Sequence, residues 1–384
     1  MILVVARNDA AYDALQKHLD KMPLGFPRTR SGSYRNVLKF IFRNEDEVRV
    51  AIHMSYKPES IKTIHERIGG MSLETVQSAL ESMERHGGVM KIERDGEPRY
   101  YLHPFLPGML EYGILGEYRD KGSIATLHDN TDDFMFKYVI DMFCAERRPF
   151  REIPIEASLT PEHGVATYDE LYHIINSCTK FGVLHCMCRL GSKLYHDGCK
   201  KTDRLESCMV FNDYAASTIK VGIAREITKE QAMEIARKNE MDGLVLQPEN
   251  TQNPGWMCSC CSCCCGFLHM LKSVPRPADF VHGNFHATID SASCIGCGTC
   301  VKRCQMDAIT IGDGKKAQIN EARCIGCGLC VPTCKKKAAR LVRNAADYIP
   351  PVNLDAYKDL LMEKKKGRLG RAGVLLKMLL KMKQ

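Results

Sequence analysis

The sequence predicts an α+β chain in four parts. A helical N-terminal part carrying a helix–turn–helix and hairpin (1–110) precedes a cysteine-rich α+β middle (111–286), a small domain around two cysteine loops (287–345) and a basic amphipathic tail (346–384). Three observations predict this. Apolar residues recur at helical spacing ahead of a hairpin in the first third, capped helices alternate with extended stretches in the middle, and one cysteine spacing occurs twice near the C-terminal end.

Composition excludes several classes. With 384 residues, 45% hydrophobic and 26% charged, the chain has ordinary globular composition and length for two or three domains, so it is neither disordered nor fibrous. Twenty cysteines would suit a disulfide scaffold only in a small secreted protein. The opening stretch MILVVARNDAAYDALQKHLD shows no basic n-region and no cleavage pattern, so a reducing cytoplasm is the expectation, and clustered thiols there point to metal. No run of about 18 uncharged apolar residues predicts a membrane span.

The formal charge of +8 is local. Residues 335–384 hold 14 Lys and Arg against 4 Asp and Glu, a surplus of 10, which leaves residues 1–334 at −2. In the tail, Gly370, Gly373, Lys377, Lys381 and Gln384 fall on one helical stripe, away from Val374, Leu375, Leu379 and Met382. A terminal helix packed on its own domain is expected there, with docking to a partner or to an anionic membrane surface as the alternative.

Between Pro58 and Phe105 the pattern is a short helix, a Gly-Gly turn and a longer helix with Leu73, Val76, Leu80 and Met83 at 3.6-residue spacing. Gly87-Gly88 follows, then two strands around Asp95-Gly96. This order resembles a winged helix-turn-helix. Its second helix carries Glu74, Glu81 and Glu84 against Arg85, and the wing balances Lys91, Arg94 and Arg99 against Glu93, Asp95 and Glu97. Duplex binding draws its sequence-independent affinity from neutralised phosphates, which an acidic reading helix repels. A structural or protein-docking wing is therefore favoured over a DNA reader.

In the middle, capping boxes are read at Thr167 with Glu170 and at Thr228 with Gln231, each ahead of an apolar-periodic helix. Cys144 and Cys178 lie inside such periodic segments and are expected to be core thiols. Cys186, Cys188, Cys199 and Cys208 fall between the elements, as do the six cysteines of CSCCSCCC, Cys258, Cys260, Cys261, Cys263, Cys264 and Cys265. Were that run extended, Cys258, Cys260 and Cys264 would point one way and Cys261, Cys263 and Cys265 the other. Three thiolates per face are one short of a cubane, so ligands from both segments are expected to combine in one or two additional iron–sulfur clusters, with zinc as the rival. Surplus thiols without metal would be an oxidative liability. His185 and His196 flank the first segment, either as ligands or tuning groups or as surface residues.

The strongest signal is CIGCGTCVKRC with CIGCGLCVPTC, two loops of spacing C-x2-C-x2-C-x3-C. Four converging thiolates suit a [4Fe-4S] cube, and a tight loop can aim three of them at one cube while the fourth crosses to the other. Cys294, Cys297, Cys300 and Cys334 are thus assigned to one cluster, and Cys324, Cys327, Cys330 and Cys304 to the second. Zinc sites pair C-x2-C knuckles across a long spacer and would not need the extra cysteines of each loop. A hairpin around Asp313-Gly314 joins the loops.

Residues 287–343 resemble bacterial two-[4Fe-4S] ferredoxins, except that Gln305 and Lys335 stand where that family has proline after the last cysteine. Over nearly its whole length, through HLDKMPLGFPRTRSGSYRNVLKFIF, CMCR, GIAREITKEQA and CSCCSCCCG, the chain also resembles a family of anaerobe iron–sulfur proteins described as 4Fe-4S dicluster or ferredoxin-domain proteins. That resemblance implies shared architecture and cluster binding without a defined reaction. No G-x-G-x-x-G following a strand, no P-loop and no C-x3-C-x2-C occurs, and CCG at 264–266 is a weak likeness to thiol–disulfide reductase subunits. The expected function is electron transfer in anaerobic metabolism, to or from a partner oxidoreductase. The alternatives are a redox-responsive winged-helix regulator and a reductase with an open-site upstream cluster.

Overall fold

The computed structural model describes residues 9–116, 132–145, 148–312, 314–367, 370, 373–374 and 376. Two serines start the paired helices of the first third. Ser60 Oγ accepts from the Thr63 N–H to begin Ile61–Ile68, and Ser72 Oγ accepts from the Thr75 N–H to begin Leu73–His86. Gly69 and Gly70, at φ 60° and 65°, make the turn between them. Three strands follow the same logic: β1 (Glu59–Ser60), β2 (Val89–Arg94) and β3 (Glu97–Leu102) form an antiparallel sheet in the order β1-β3-β2. Val76, Leu80 and Met83 are buried beside it. Leu73, expected on the same stripe, is 50% exposed because the first helical residue lies beyond the packed turns.

These elements belong to one of two compact units, built from Met1–Glu146, Ser217–Ile223 and Lys358–Lys366. The two returning segments are tied in by cations. Lys220 Nζ donates to both carboxylate oxygens of the buried Glu84 at 2.7 and 2.9 Å. Lys358 Nζ lies 3.6 Å from the centre of the Tyr101 ring. Cys144 is buried here, as expected of a core thiol.

The second unit comprises Arg147–Ala216, Ala224–Tyr357 and Gly367–Gln384. Its centre is a five-stranded antiparallel sheet of β4 (Phe181–His185), β5 (Glu206–Phe211), β6 (Ala224–Ile227), β7 (Val245–Pro248) and β8 (Trp256–Cys260), ordered β6-β4-β5-β8-β7. The helix Lys229–Asp242 begins with the reciprocal Thr228–Gln231 capping box and ends at Gly243 in the left-handed region. The Thr167–Glu170 box does not form. Thr167–Asp169 is a 3-10 turn, and the next helix begins at Leu171 with no side-chain cap, while Asp169 is drawn into a buried ion pair with Arg151 at 2.6 Å. Cys178 is half-buried, its thiol donating to the Ile174 carbonyl at 3.2 Å.

Beyond the sheet, β9 (Phe285–Ile289) pairs with β12 (Ala339–Arg343), and β10 (Ile309–Ile311) with β11 (Ala317–Ile319), the latter forming the expected hairpin. Asp313 at its tip lies outside the described residues, as do Lys377, Lys381, Gln384, Leu375, Leu379 and Met382 of the expected tail stripe. No helix of the described residues is long and apolar enough to cross a membrane.

Candidate metal centres

Each cysteine loop of the C-terminal domain is held by the strands of the other repeat. Shifting the chain by thirty residues maps Cys294 onto Cys324, Cys304 onto Cys334 and Ala287 onto Ala317, and the hydrogen bonds obey the same shift. The Ala317 N–H donates to Cys294 Sγ at 3.4 Å and the Ala287 N–H to Cys324 Sγ at 3.3 Å. The Ala308 N–H donates to Cys304 Sγ at 3.3 Å and the Ala338 N–H to Cys334 Sγ at 3.2 Å. Two glycines permit this closeness. Gly296 and Gly326 have φ 68° and 73°, and a Cβ on them would collide with the Lys315 and Phe285 carbonyl oxygens respectively.

These sulfurs suit cubane clusters. Cys304, Cys324, Cys327 and Cys330 line one cavity together with Gln305 and Met306, which is the ligand set assigned to the second cluster. On the other side Cys300 feels the charges of Cys294 and Cys297, and Lys335, next to Cys334, acts on Cys297. N–H donors aimed at ligand sulfurs favour the electron-rich thiolate and tune whatever cluster it holds.

The two loops differ in exposure. Cys297 is exposed, and hydrogen bonds from Thr299, with Lys335 nearby, hold its thiol below the usual range. Burial pushes the corresponding Cys327 well up. The residues ahead differ likewise: Ile295 is 62% exposed and Ile325 only 3%. The cover over the second loop comes from the middle of the chain, where the Ile155 N–H donates to the Cys327 carbonyl at 3.1 Å.

Gln305 and Lys335, the two departures from the ferredoxin pattern, also part company. Lys335 is exposed. Gln305 is buried, its Nε2 donating to the Gly243 carbonyl at 2.6 Å and its Oε1 accepting from the Ser262 N–H and Oγ at 3.1 and 3.0 Å. A proline side chain could make none of these bonds. Ser262 lies within the upstream cysteine run, so Gln305 links the two cysteine regions directly.

The ten upstream cysteines sort into two groups. Six form a closed ring of neighbouring thiols, each acting on the next, from Cys186 to Cys188, Cys265, Cys260, Cys258, Cys208 and back to Cys186. The other four, Cys199, Cys261, Cys263 and Cys264, make a compact tetrad. Sheet register explains the ring. Met209 pairs with Met257 across β5 and β8, placing Cys208 beside Cys258, and Cys186 follows β4 directly. The expected alternation holds only to Cys260, where β8 ends. A turn then carries Cys261, Cys263 and Cys264 to Cys199, and Cys265 begins the helix Gly266–Ser273 facing the ring. The grouping therefore exchanges Cys264 and Cys265 relative to an extended run.

In the ring, hydrogen bonds to Cys186 and Cys265, with burial, hold Cys188 well above the usual thiol range. Bonds to Cys258 and Cys265 do the same for Cys260, and Cys265, accepting from Cys188 and Cys260, is pushed well below it. Arg189, on the helix that follows Cys186, is 1% exposed and donates to the Arg204 and Ser259 carbonyls and the Ser207 hydroxyl. Although burial opposes it, Cys186, Cys208, Cys261 and Cys260 hold its charge in place, so it is a fixed counter-charge to both groups. Only its spacing within CMCR could have drawn attention to it in the sequence. His185 and His196 are exposed.

No curated protein matches the chain. The family model of the 4Fe-4S dicluster domain matches residues 287–341, spanning both loops, all of β10 and β11, and most of β9 and β12. That segment is therefore a 4Fe-4S dicluster domain, which supports iron–sulfur clusters in the C-terminal part of the chain.

Proposed function

We propose that the protein is a one-electron relay whose outer end is the exposed 294–300 loop and whose inner end is the covered 324–330 loop, joined through Gln305 to the upstream cysteines. The observation that carries this reading is the contrast in exposure between two loops of identical spacing. A [4Fe-4S] cluster, when bound, accepts or releases one electron. The residues do the rest. Ile295 and the open edge around Cys297 offer an apolar contact for a redox partner, with Lys302 and Lys335 nearby to select an acidic one. Ile155 and the segment before it keep water from the inner loop.

The assigned ligands are Cys294, Cys297, Cys300 and Cys334 for the outer cluster and Cys304, Cys324, Cys327 and Cys330 for the inner. The six-thiol ring is the place for a further iron–sulfur centre, since its donors are all soft and Arg189 offsets their charge. A cytoplasmic setting, an oxidoreductase partner and an anaerobic metabolism belong to the same reading. The helices and three-stranded sheet of the first unit have winged-helix order, and we take them as a docking module, because Glu84 on the second helix is buried against Lys220.

The test is electron exchange under anaerobic conditions with acidic and basic small redox proteins. The relay predicts that Ile295→Asp slows exchange at least tenfold with unchanged iron content. Unaltered exchange would sink the outer-end assignment, and tight, salt-sensitive operator binding in gel shift would favour a regulator instead.

A further inference from the structure

The tetrad is too compact for a cubane. Cys199 Sγ lies 3.5 Å from Cys261 Sγ and 3.8 Å from Cys263 Sγ, Cys263 and Cys264 are 3.8 Å apart, and all four sulfurs fall within 4.8 Å of one another. Four thiolates around one ion at a zinc–sulfur distance of about 2.3 Å form a tetrahedron with edges of about 3.8 Å. A cubane puts each thiolate on a different iron and so spreads the four sulfurs further. The chain supplies its own standard: among the described residues, no three cysteines of the dicluster domain share such a volume, and neither do three of the six-thiol ring.

The surroundings suit a small dianionic centre. The Lys201 N–H donates to Cys199 Sγ at 3.4 Å, the Thr202 N–H also serves Cys199, and the Ser192 hydroxyl serves Cys264. Cys261 and Cys264 stand in C-x2-C spacing, the usual knuckle of a tetrathiolate ion site, with Cys263 between them and Cys199 brought from the loop before β5.

We propose that Cys199, Cys261, Cys263 and Cys264 bind a single thiophilic divalent ion, zinc or iron, by four thiolates, with release of the thiol protons. The ion ties the 199 loop to the 261–264 turn and so fixes Ser262 for its hydrogen bonds to Gln305.

Zinc, iron and acid-labile sulfide are counted on the anaerobically prepared full chain. The expected result is one equivalent of zinc, or one iron in excess of sulfide that shows the visible bands of a ferric tetrathiolate on oxidation. The first result identifies zinc and the second iron. Cys263→Ser should lose that equivalent while cluster iron and sulfide change by less than a tenth. Should the variant fail to fold, X-ray absorption at the zinc edge, or Mössbauer spectra for iron, decide on the unmodified chain by showing four sulfur neighbours at about 2.3 Å and no second metal. Joint loss of about four irons and four sulfides in Cys263→Ser would overturn the proposal. So would an unmodified chain with neither zinc nor excess iron, or one with a Cys199–Cys261 disulfide.

Discussion

The loops 294–304 and 324–334 share every ligand spacing, both strand supports and two matched alanine N–H donors to sulfur each, yet one faces solvent and the other is enclosed. The arrangement of the thiols is therefore a property of the repeat, whereas exposure is set by what the rest of the chain lays over each copy. A relay needs both: equal sites to hold equal clusters, and unequal surroundings to give the pair an outside and an inside.

The harshest way to break the shared part is at the glycines. Gly296→Ala and Gly326→Ala each drive a methyl group into a backbone carbonyl oxygen, of Lys315 and Phe285 respectively, and each should remove at least one cluster, about four irons per chain by iron analysis. The unshared part is probed by Ile295→Ala and Ile325→Ala. Truncating the buried Ile325 should cost about 2–5 kcal/mol in denaturant unfolding. The exposed Ile295 should change stability by no more than about 0.5 kcal/mol. Equal effects would mean that the two loops are not differently covered.

Next in size is a pH effect confined to the cover. Glu152 lies three residues before Ile155, and burial pushes its carboxyl up to about 7, with Oε1 accepting from Gln247 and Oε2 without a partner. The folded state then binds more protons than the unfolded one, so this contribution is complete below about pH 4.5 and is lost as pH rises through about 7. The loss is roughly 3 kcal/mol. Glu152→Gln should flatten the unfolding free energy over that range, and an unchanged slope would refute the assignment. Gln305→Ala should cost about 1–3 kcal/mol by leaving the Ser262 N–H and the Gly243 carbonyl unpaired, with a change in the spectrum of the inner centre. The smallest expected change is a lower potential for the outer cluster in Lys335→Gln, with the inner cluster unmoved in spectroelectrochemical titration.

The dicluster domain was legible because its information is local. Four cysteines within eleven residues, glycines where the loop turns back, and a second copy thirty residues on leave little to long-range geometry. The first-unit helices were legible for the same reason, through Ser60, Ser72, Gly69 and Gly70. The partition of the upstream cysteines was not, because it depends on β5 lying against β8 and on the strand ending at Cys260, which no spacing within the run encodes. Thr167 and Glu170 had the right residues for a capping box and lost to a stronger competitor, the buried Arg151–Asp169 pair beside them. Gln305 was visible as a departure from the ferredoxin pattern, but its partners Ser262 and Gly243 lie 43 and 62 residues away in sequence.

The most direct test of the central claim is to count iron and sulfide on anaerobically prepared protein and follow its reduction by electron paramagnetic resonance. The account predicts a brown protein with at least about eight irons and eight sulfides, rising to about twelve of each if the six-thiol ring is filled, and signals from interacting reduced clusters. Colourless protein, or zinc in place of iron at the 294–304 and 324–334 loops, would contradict it.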